Sequence, residues 1–294
     1  MGTSTERYRA FIKVAELKSF SEAAHDLGFS PSAMSRMITA LEKEWGIVLF
    51  ERSKAGVCLT ADGEQLLPYA RRLTASEATF AEAVSAITGG ESGHVRIGTF
   101  SSVATHWLPK VIGSFLELHP KITYELLLGD YGEIEKWVQE GRVDCGFTRL
   151  PVSPSSNAVK IADDELKVLL PRNHALCQLS SVPSEALLEE RFFLLQKDGN
   201  TVVDEAFEQC GGTPRSPFVT WDDYAIMAMV EAGLGVSILP NLILQRISYD
   251  IEIRPLRNPV YRQIGLITRK VPRTSAAARH FIDFALQSLK SSSV

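Results

Sequence analysis

The residues of this 294-residue chain whose types and spacing best suit chemistry lie near its start, in the run F-S-P-S-A-M-S-R-M. Ser30, Pro31, Ser32, Ser35 and Arg36 fall there, and Arg52 and Lys54 follow in the basic stretch E-R-S-K-A-G. Hydroxyls and a guanidinium at this spacing are equipped to hydrogen-bond base edges. One arginine paired with guanine through two hydrogen bonds discriminates against a wrong base by about 1–3 kcal/mol. Arg52 and Lys54 can reach phosphate or the minor groove. Plainer roles stay open. Ser32 can simply cap a helix, Arg36 can bond only a phosphate, and Arg52 can pair internally with Glu42 or Glu51.

Three helices must position those groups. Phe11, Val14 and Ala15 recur at helical spacing, which predicts an amphipathic helix from Arg7 to Leu17. Ser19 or Ser21 caps a second helix, Ser21 to Leu27, with Ala23, Ala24 and Leu27 inward and Gly28 as its stop. Ser30 caps a third helix, with Pro31 at its first position. Ala33, Met37, Ile38 and Leu41 give that helix an apolar side, which leaves Ser32, Ser35, Arg36 and Thr39 mainly on the other. The N-terminal residues of such a helix are the ones that meet base edges. Two short apolar runs between Val48 and Leu59 flank Ser53-Lys54-Ala55-Gly56, a hairpin with a basic tip, or wing.

From Thr60 a helical pattern continues to about Thr88. Leu66, Leu73, Phe80 and Ile87 are spaced by seven, with Ala70 and Val84 between them, a seam suited to pairing with a second copy. Packing on its own domain is the alternative. Glu77 interrupts the seam, and Pro68 is expected to kink or loosen the helix. Gly89 to Gly93 reads as a hinge.

Beyond His94, strands alternate with helices, which predicts an α/β region with mainly parallel sheets. Strands are expected at His94 to Thr99, Ile122 to Leu128, Asp144 to Thr148, Leu166 to Leu170, Phe192 to Leu195, Pro217 to Trp221, Val236 to Leu239, Glu252 to Leu256 and Arg262 to Arg269. Helices are expected from Trp107 to Leu118, Tyr131 to Glu140, Val202 to Gln209, Asp222 to Ala232 and Ser275 to Leu289. Ligands of open α/β sheets sit outside the carboxyl ends of strands. That rule nominates Thr99, Ser101, Ser102, Tyr131, Phe147, Thr148, Arg149, Gln196, Thr201 and Trp221. Arg149 is suited to an effector carboxylate. Asp130, Asp222 and Asp223 argue the other way, since acids at those helix starts already satisfy the dipole.

Composition sets bounds. Hydrophobic residues make up 45% and charged residues 22%, as in a soluble globular protein. Net charge is −4, and residues 1–60 hold eight Lys/Arg against seven Asp/Glu, leaving about −5 for the rest. Nucleic-acid binding would therefore rest on a few placed cations and on dimerisation. No signal peptide or membrane span is expected, and the compartment is expected to be cytoplasmic. Cys58, Cys145, Cys177 and Cys210 are widely separated, so neither a metal site nor a disulfide framework is expected. Gly233-Leu234-Gly235 ends a helix and enters a strand, the reverse of a dinucleotide fingerprint. His174 reads as structural. No nucleophile–base pair or phosphate loop supports an enzyme, and no cofactor is expected.

The run S-F-S-E-A-A-H-D-L-G-F-S-P-S-A-M-S-R-M-I-T-A-L-E-K-E-W-G-I-V-L-F-E-R, followed by L-T-A-D-G, resembles the DNA-binding domain of LysR-type transcriptional regulators. The segments V-R-I-G-T-F-S-S, E-G-R-V-D-C-G-F and V-E-A-G-L-G-V-S-I-L-P resemble the effector-binding domain of the same family. The resemblance implies an N-terminal all-α winged helix-turn-helix with a long linker helix, and a C-terminal α/β two-lobed domain like a periplasmic binding protein. The expected divisions are 1–60 for DNA binding, 61–92 for linker and hinge, 93–163 plus 267–294 for one lobe, and 164–266 for the other. Expected partners are double-stranded promoter DNA, a small-molecule effector between the lobes, and a second copy, with a tetramer implied by the resemblance. RNA polymerase is a further candidate. Many family members carry Gln then Pro where this chain has Pro31 then Ser32, so one base contact of the family is missing. Peroxide-sensing members carry a second cysteine nine residues before the position of Cys210, where this chain has Thr201, so a redox role is disfavoured. A transport receptor is the rival reading of the two-lobed region alone.

Overall fold

The computed structural model describes residues 5–53, 56–87, 92–196, 203–208, 211–212, 214, 218–270 and 275–291. The N-terminal module packs α1 (Thr5–Leu17), α2 (Phe20–Asp26) and α3 (Pro31–Trp45) around Phe11, Val14, Ala23, Ala24, Met34, Ile38 and Leu41. Ser19, rather than Ser21, caps α2, its hydroxyl accepting from the Glu22 N–H at 3.3 Å. Ser30 caps α3 with Pro31 in its first turn, the Ser30 hydroxyl accepting from Ala33 N–H at 3.2 Å. Gly28 takes φ +72°, the left-handed turn that separates the two helices and that a side chain would strain. β1 (Phe50–Ser53) and β2 (Gly56–Leu59) form the wing as an antiparallel hairpin.

The long helix α4 (Ala61–Ile87) follows directly. Thr60 caps it, accepting from Gly63 N–H at 3.0 Å, while its own hydroxyl donates to the Val48 carbonyl at 2.7 Å. A side chain at Gly63 would collide with the Leu49 carbonyl oxygen. The L-T-A-D-G run therefore locks the helix start against the wing. Pro68 does not interrupt the helix, which continues past it to Ile87. Leu66, Leu67 and Ala70 turn inward onto the N-terminal core, so the first part of the expected seam packs on its own domain.

The C-terminal region contains β3 (Gly93–Thr99), α5 (Ser101–His106), α6 (Leu108–Leu118), β4 (Ile122–Leu128), α7 (Tyr131–Glu140), β5 (Cys145–Leu150), β6 (Ser156–Pro171), β7 (Phe192–Leu195), α8 (Asp204–Glu208), β8 (Phe218–Thr220), α9 (Asp223–Glu231), β9 (Val236–Pro240), β10 (Ile251–Pro255), β11 (Tyr261–Arg269) and α10 (Ala276–Ser291). The sheet runs β4-β3-β5-β11-β6-β9-β7-β8, with β10 also on β6. The sheet is mixed, which corrects the expectation of mainly parallel pairing. β3 pairs in parallel with β4 and β5, and β7 with β8 and β9, whereas all described pairings of β6 and β11 are antiparallel. These two strands join the two parallel-paired parts of the sheet rather than belong to one strand–helix–strand unit.

Two regions of core result. One surrounds Val95, Ile97, Phe115, Phe147 and Phe281, and the other gathers Leu166, Val168, Phe192, Val236 and Ile238, with Leu169, Phe193 and Met227 on its far side. β6 serves both: its first half pairs with β11, and its second half pairs with β9 and β10. The expected helix over Trp107 to Leu118 is α6, and the short helix α5, which was not expected, precedes it. Pro109, with no N–H to donate, sits in the first turn of α6, so α5 must end before it.

Candidate nucleic-acid interface and ligand cleft

α3 presents its expected face outward. Ser30, Pro31, Ser32 and Arg36 are exposed and Ser35 is half-buried, while Met34, Ile38 and Leu41 anchor the opposite side. The Ser30 and Ser32 hydroxyls lie 3.1 Å apart. Arg36 Nε donates to the Ser32 carbonyl at 3.3 Å, which holds the exposed guanidinium along the first turn. Arg52 lies on β1 opposite Val57. Lys54 lies outside the described residues. Glu42 was not anticipated as a support: its carboxylate accepts from Leu49 N–H at 2.8 Å and from Phe50 N–H at 3.4 Å. It ties α3 to the wing, which explains an acid near the end of a reading helix.

Along α4, Leu73, Phe80 and Val84 are 52%, 71% and 44% exposed, and Tyr69 joins them on the same face. Of Ile87, only its place at the helix end is described. Glu77, which breaks the seam, pairs with Arg9 of α1 at 3.0 Å.

A buried polar cluster of the C-terminal region is organised by a residue that sequence reasoning missed. Arg262 on β11 is only 4% exposed. Its Nε donates to Asp164 Oδ2 at 2.9 Å, one terminal nitrogen to the Tyr131 hydroxyl at 2.7 Å, and the other to the Ser102 hydroxyl at 2.6 Å. The Phe100 ring covers its face at 4.9 Å, and Tyr131 meets that ring edge-on. Asp164 on β6 is likewise buried and accepts from Leu242 N–H through its other oxygen at 2.9 Å. A buried guanidinium must be paired and hydrogen-bonded, and here it is. The signal available in the sequence was a lone Arg and a D-D-E run within strand patterns.

Asp223, the first residue of α9, completes the cluster. It is buried, hydrogen-bonded to the Ser101 side chain, and pushed up to about 6 by burial, against the opposing pull of Arg262 and with the repulsion of Asp222 added. Asp130 and Asp222 play the expected capping part: Asp130 forms a reciprocal box with Glu133, and Asp222 accepts from Tyr224 N–H at 2.9 Å. Asp223 instead is held by the Ser101 side chain within the field of Arg262.

The structure thus brings Ser101, Ser102 and Tyr131 together. Thr148 supports Tyr131 by donating to its carbonyl at 3.3 Å. Thr99 is fully buried at the end of β3. Phe147 is part of the first core. Arg149 sits half-buried opposite Ile264. Gln196 is joined to Thr220 through its backbone N–H at 2.9 Å, and Trp221 is 68% exposed beside it. Thr201 and Cys210 lie outside the described residues. His174 caps a short turn, its Nδ1 accepting from Leu176 N–H at 3.3 Å. Among the described residues, no cluster able to hold a metal ion occurs, and no helix is long and apolar enough to cross a membrane.

Residues 5–64 match the family model described as bacterial regulatory helix-turn-helix protein, lysR family, and residues 88–290 match the LysR substrate binding domain. The chain is 34% identical over 255 residues to "Probable HTH-type transcriptional regulator LrrA" of Synechococcus elongatus, covering 86% of each chain. Full-length CbnR, solved in complex with its target DNA, superposes with a TM-score of 0.70 at 26% identity, over 97% of this chain and 99% of that one. The effector binding domain of QuiR, solved with shikimate, shares the fold with a TM-score of 0.62 at 21% identity, over 69% of this chain and 100% of that one. Both halves of the molecule point the same way: the chain belongs to the LysR family and is a DNA-binding transcriptional regulator with an N-terminal helix-turn-helix and a C-terminal effector-binding domain.

Proposed function

We propose that the chain reads a dyad operator as a dimer and that a small effector, held between the two C-terminal lobes, sets the spacing or angle of its reading heads. Ser30, Pro31, Ser32, Ser35 and Arg36 would enter the major groove, with Arg52 and Lys54 on the flanking backbone or minor groove. Leu73, Phe80 and Val84, continued by Ile87, would form the dimer contact. Leu66 contributes only through the N-terminal core. Exposed apolar side chains in a row on one helix are what a partner helix covers. A pair of such dimers gives a tetramer, and a complex bound upstream of a promoter is placed to meet RNA polymerase. The chain would act where the chromosome is, in the cytoplasm, as a binding protein rather than an enzyme.

The observation that carries the effector reading is the buried cluster of Arg262, Asp164, Ser102, Tyr131 and Asp223, drawn from strands and helix starts on both sides of the cleft. We take 93–163 plus 267–294 as one lobe and 164–266 as the other. With Asp223 ionised, the three charged groups sum to one negative charge. A ligand offering N–H or O–H donors to Asp223 is therefore favoured over a bare carboxylate, which would compete with Asp164 for Arg262. Ligand binding shifts the lobes only by its differential affinity for the two arrangements.

Selection of binding sites from genomic fragments by the full-length protein, repeated with Arg36→Ala, tests the reading. A dyad recovered upstream of a few genes and relaxed in the variant supports it. Random fragments from both proteins, with and without candidate metabolites, would overturn it.

A further inference from the structure

A cavity of about 340 Å³ lies away from the cleft, where α1 and α4 of the DNA-reading half meet β3, β4 and the turn after α7. Five of the side chains on its wall are Arg or Lys, Arg71 and Arg142 among them, against the acids Glu16, Glu125 and Asp144. Most of these charges are already matched. Arg96 pairs with Asp144 at 3.0 Å, Arg9 with Glu77 at 3.0 Å, and Lys13 with Asp26 at 2.9 Å. Two are not fully matched. Arg71, with its side chain 9% exposed, reaches Glu140 of α7 at 2.8 Å and Glu16 of α1 at 3.6 Å, yet its Nε is buried with no partner among the described residues. Arg142 stacks on the Trp137 ring at 4.8 Å and forms no ion pair among the described residues, and its Nε is buried without a partner as well.

Two guanidinium groups lining one cavity repel each other, and a buried N–H without an acceptor is costly. Arg142 indeed acts on Arg71 as a like charge, adding to the burial that lowers the Arg71 pKa. An anion with several oxygens lying in the cavity answers the repulsion, because guanidinium groups pair carboxylate and phosphate oxygens, while the two Nε atoms stay buried beyond its reach. We propose that this junction is a second ligand site, taking a compact oxyanion between Arg71 and Arg142, separate from the cleft between the lobes. Because Arg71 also holds Glu16 and Glu140, the occupant would fasten the DNA-reading half to the first lobe.

Calorimetric titration of the full chain with inorganic phosphate, and separately with succinate, at ionic strength fixed by potassium chloride, tests this and distinguishes the two oxyanion chemistries. At least one of them is expected to bind at one site per chain. Arg142→Gln, which orphans no acid, is expected to weaken it about tenfold or more, as loss of a charge-assisted bidentate contact should. Arg142→Lys, which keeps the charge but loses the fork, is expected to weaken it about threefold and serves if the glutamine chain does not fold. Arg36→Ala on the DNA face is expected to bind as the parent does. Absence of binding by both anions, unchanged affinity in both Arg142 variants, or loss confined to Arg36→Ala would overturn the proposal.

Discussion

Arg262 and Asp164 stand directly opposite each other in the register of β11 and β6, where the two strands pass from one core region to the other. The pair is 4% and 6% exposed, so each charge depends on the other. Arg262→Leu would leave Asp164 buried with only the Leu242 N–H and is expected to destabilise the effector-binding half by about 3–5 kcal/mol. Urea unfolding followed by circular dichroism measures it. A change under about 1 kcal/mol would mean that the carboxylate finds water or another partner.

Asp223 should make stability depend on pH. Its pKa is raised from 3.8 to about 6, so between those values the folded chain keeps a proton that the unfolded chain has lost. Stability from this group is therefore greatest below its unfolded pKa and declines as pH rises toward 6, with a penalty of roughly 2–3 kcal/mol at neutral pH. Asp223→Asn is expected to be more stable than the parent at pH 7.5 and to match it near pH 3.5. Equal stability of the two at pH 7.5 would contradict the burial argument.

On the DNA side, Arg36→Ala is expected to lose about 1–3 kcal/mol at one operator position and to relax the preference there, if the residue reads a base. Uniform weakening over all sequences, with a shallower salt dependence, would assign it to a phosphate instead. Competitive gel shifts across single-base operator variants separate the two.

Phe80→Glu places a charge in the exposed stripe of α4. The dimer dissociation constant is expected to rise about thirtyfold or more, equivalent to about 2 kcal/mol for a central apolar anchor. Sedimentation velocity over a concentration series reads this directly, and an unchanged dimer would move the interface elsewhere.

Gly63→Ala drives a methyl group into the Leu49 carbonyl. Overpacking of that kind costs about 1–3 kcal/mol, and here it must push α4 away from the wing. Lower thermal stability together with weaker operator binding is the expected result. Full affinity in the variant would show that the junction adapts.

The N-terminal half was legible because its signals are local. Caps at Ser30 and Thr60, the glycine after α2, and the apolar spacing of α3 all act within a turn or two, and each lies where the chain suggested. The strands Ile122–Leu128 and Phe192–Leu195 were equally plain from their apolar runs. β6 was harder: its first half, S-N-A-V-K-I-A-D-D-E, mixes charge and apolar residues because one side of it faces water, and only Leu166 to Leu170 reads as a strand. Arg262 and Asp164 were missed for a related reason. They are distant in sequence, and nothing local to either says that the other will neutralise it. Leu66 and Ala70 look like seam residues by spacing, but spacing alone cannot tell a partner helix from the chain's own α1.

Glu42 has a consequence for regulation. By grasping the backbone of Leu49 and Phe50 from the last turns of α3, it welds the groove-reading helix and the wing into one tool. Thr60 and Gly63 then set that tool rigidly on the end of its handle. A signal arriving along α4 can swing the whole head but has little means of reshaping it. In the proposed dimer the vocabulary of each half-site would consequently stay constant, and a change of state would alter only the grammar: how far apart, and at what angle, two unchanging words are read.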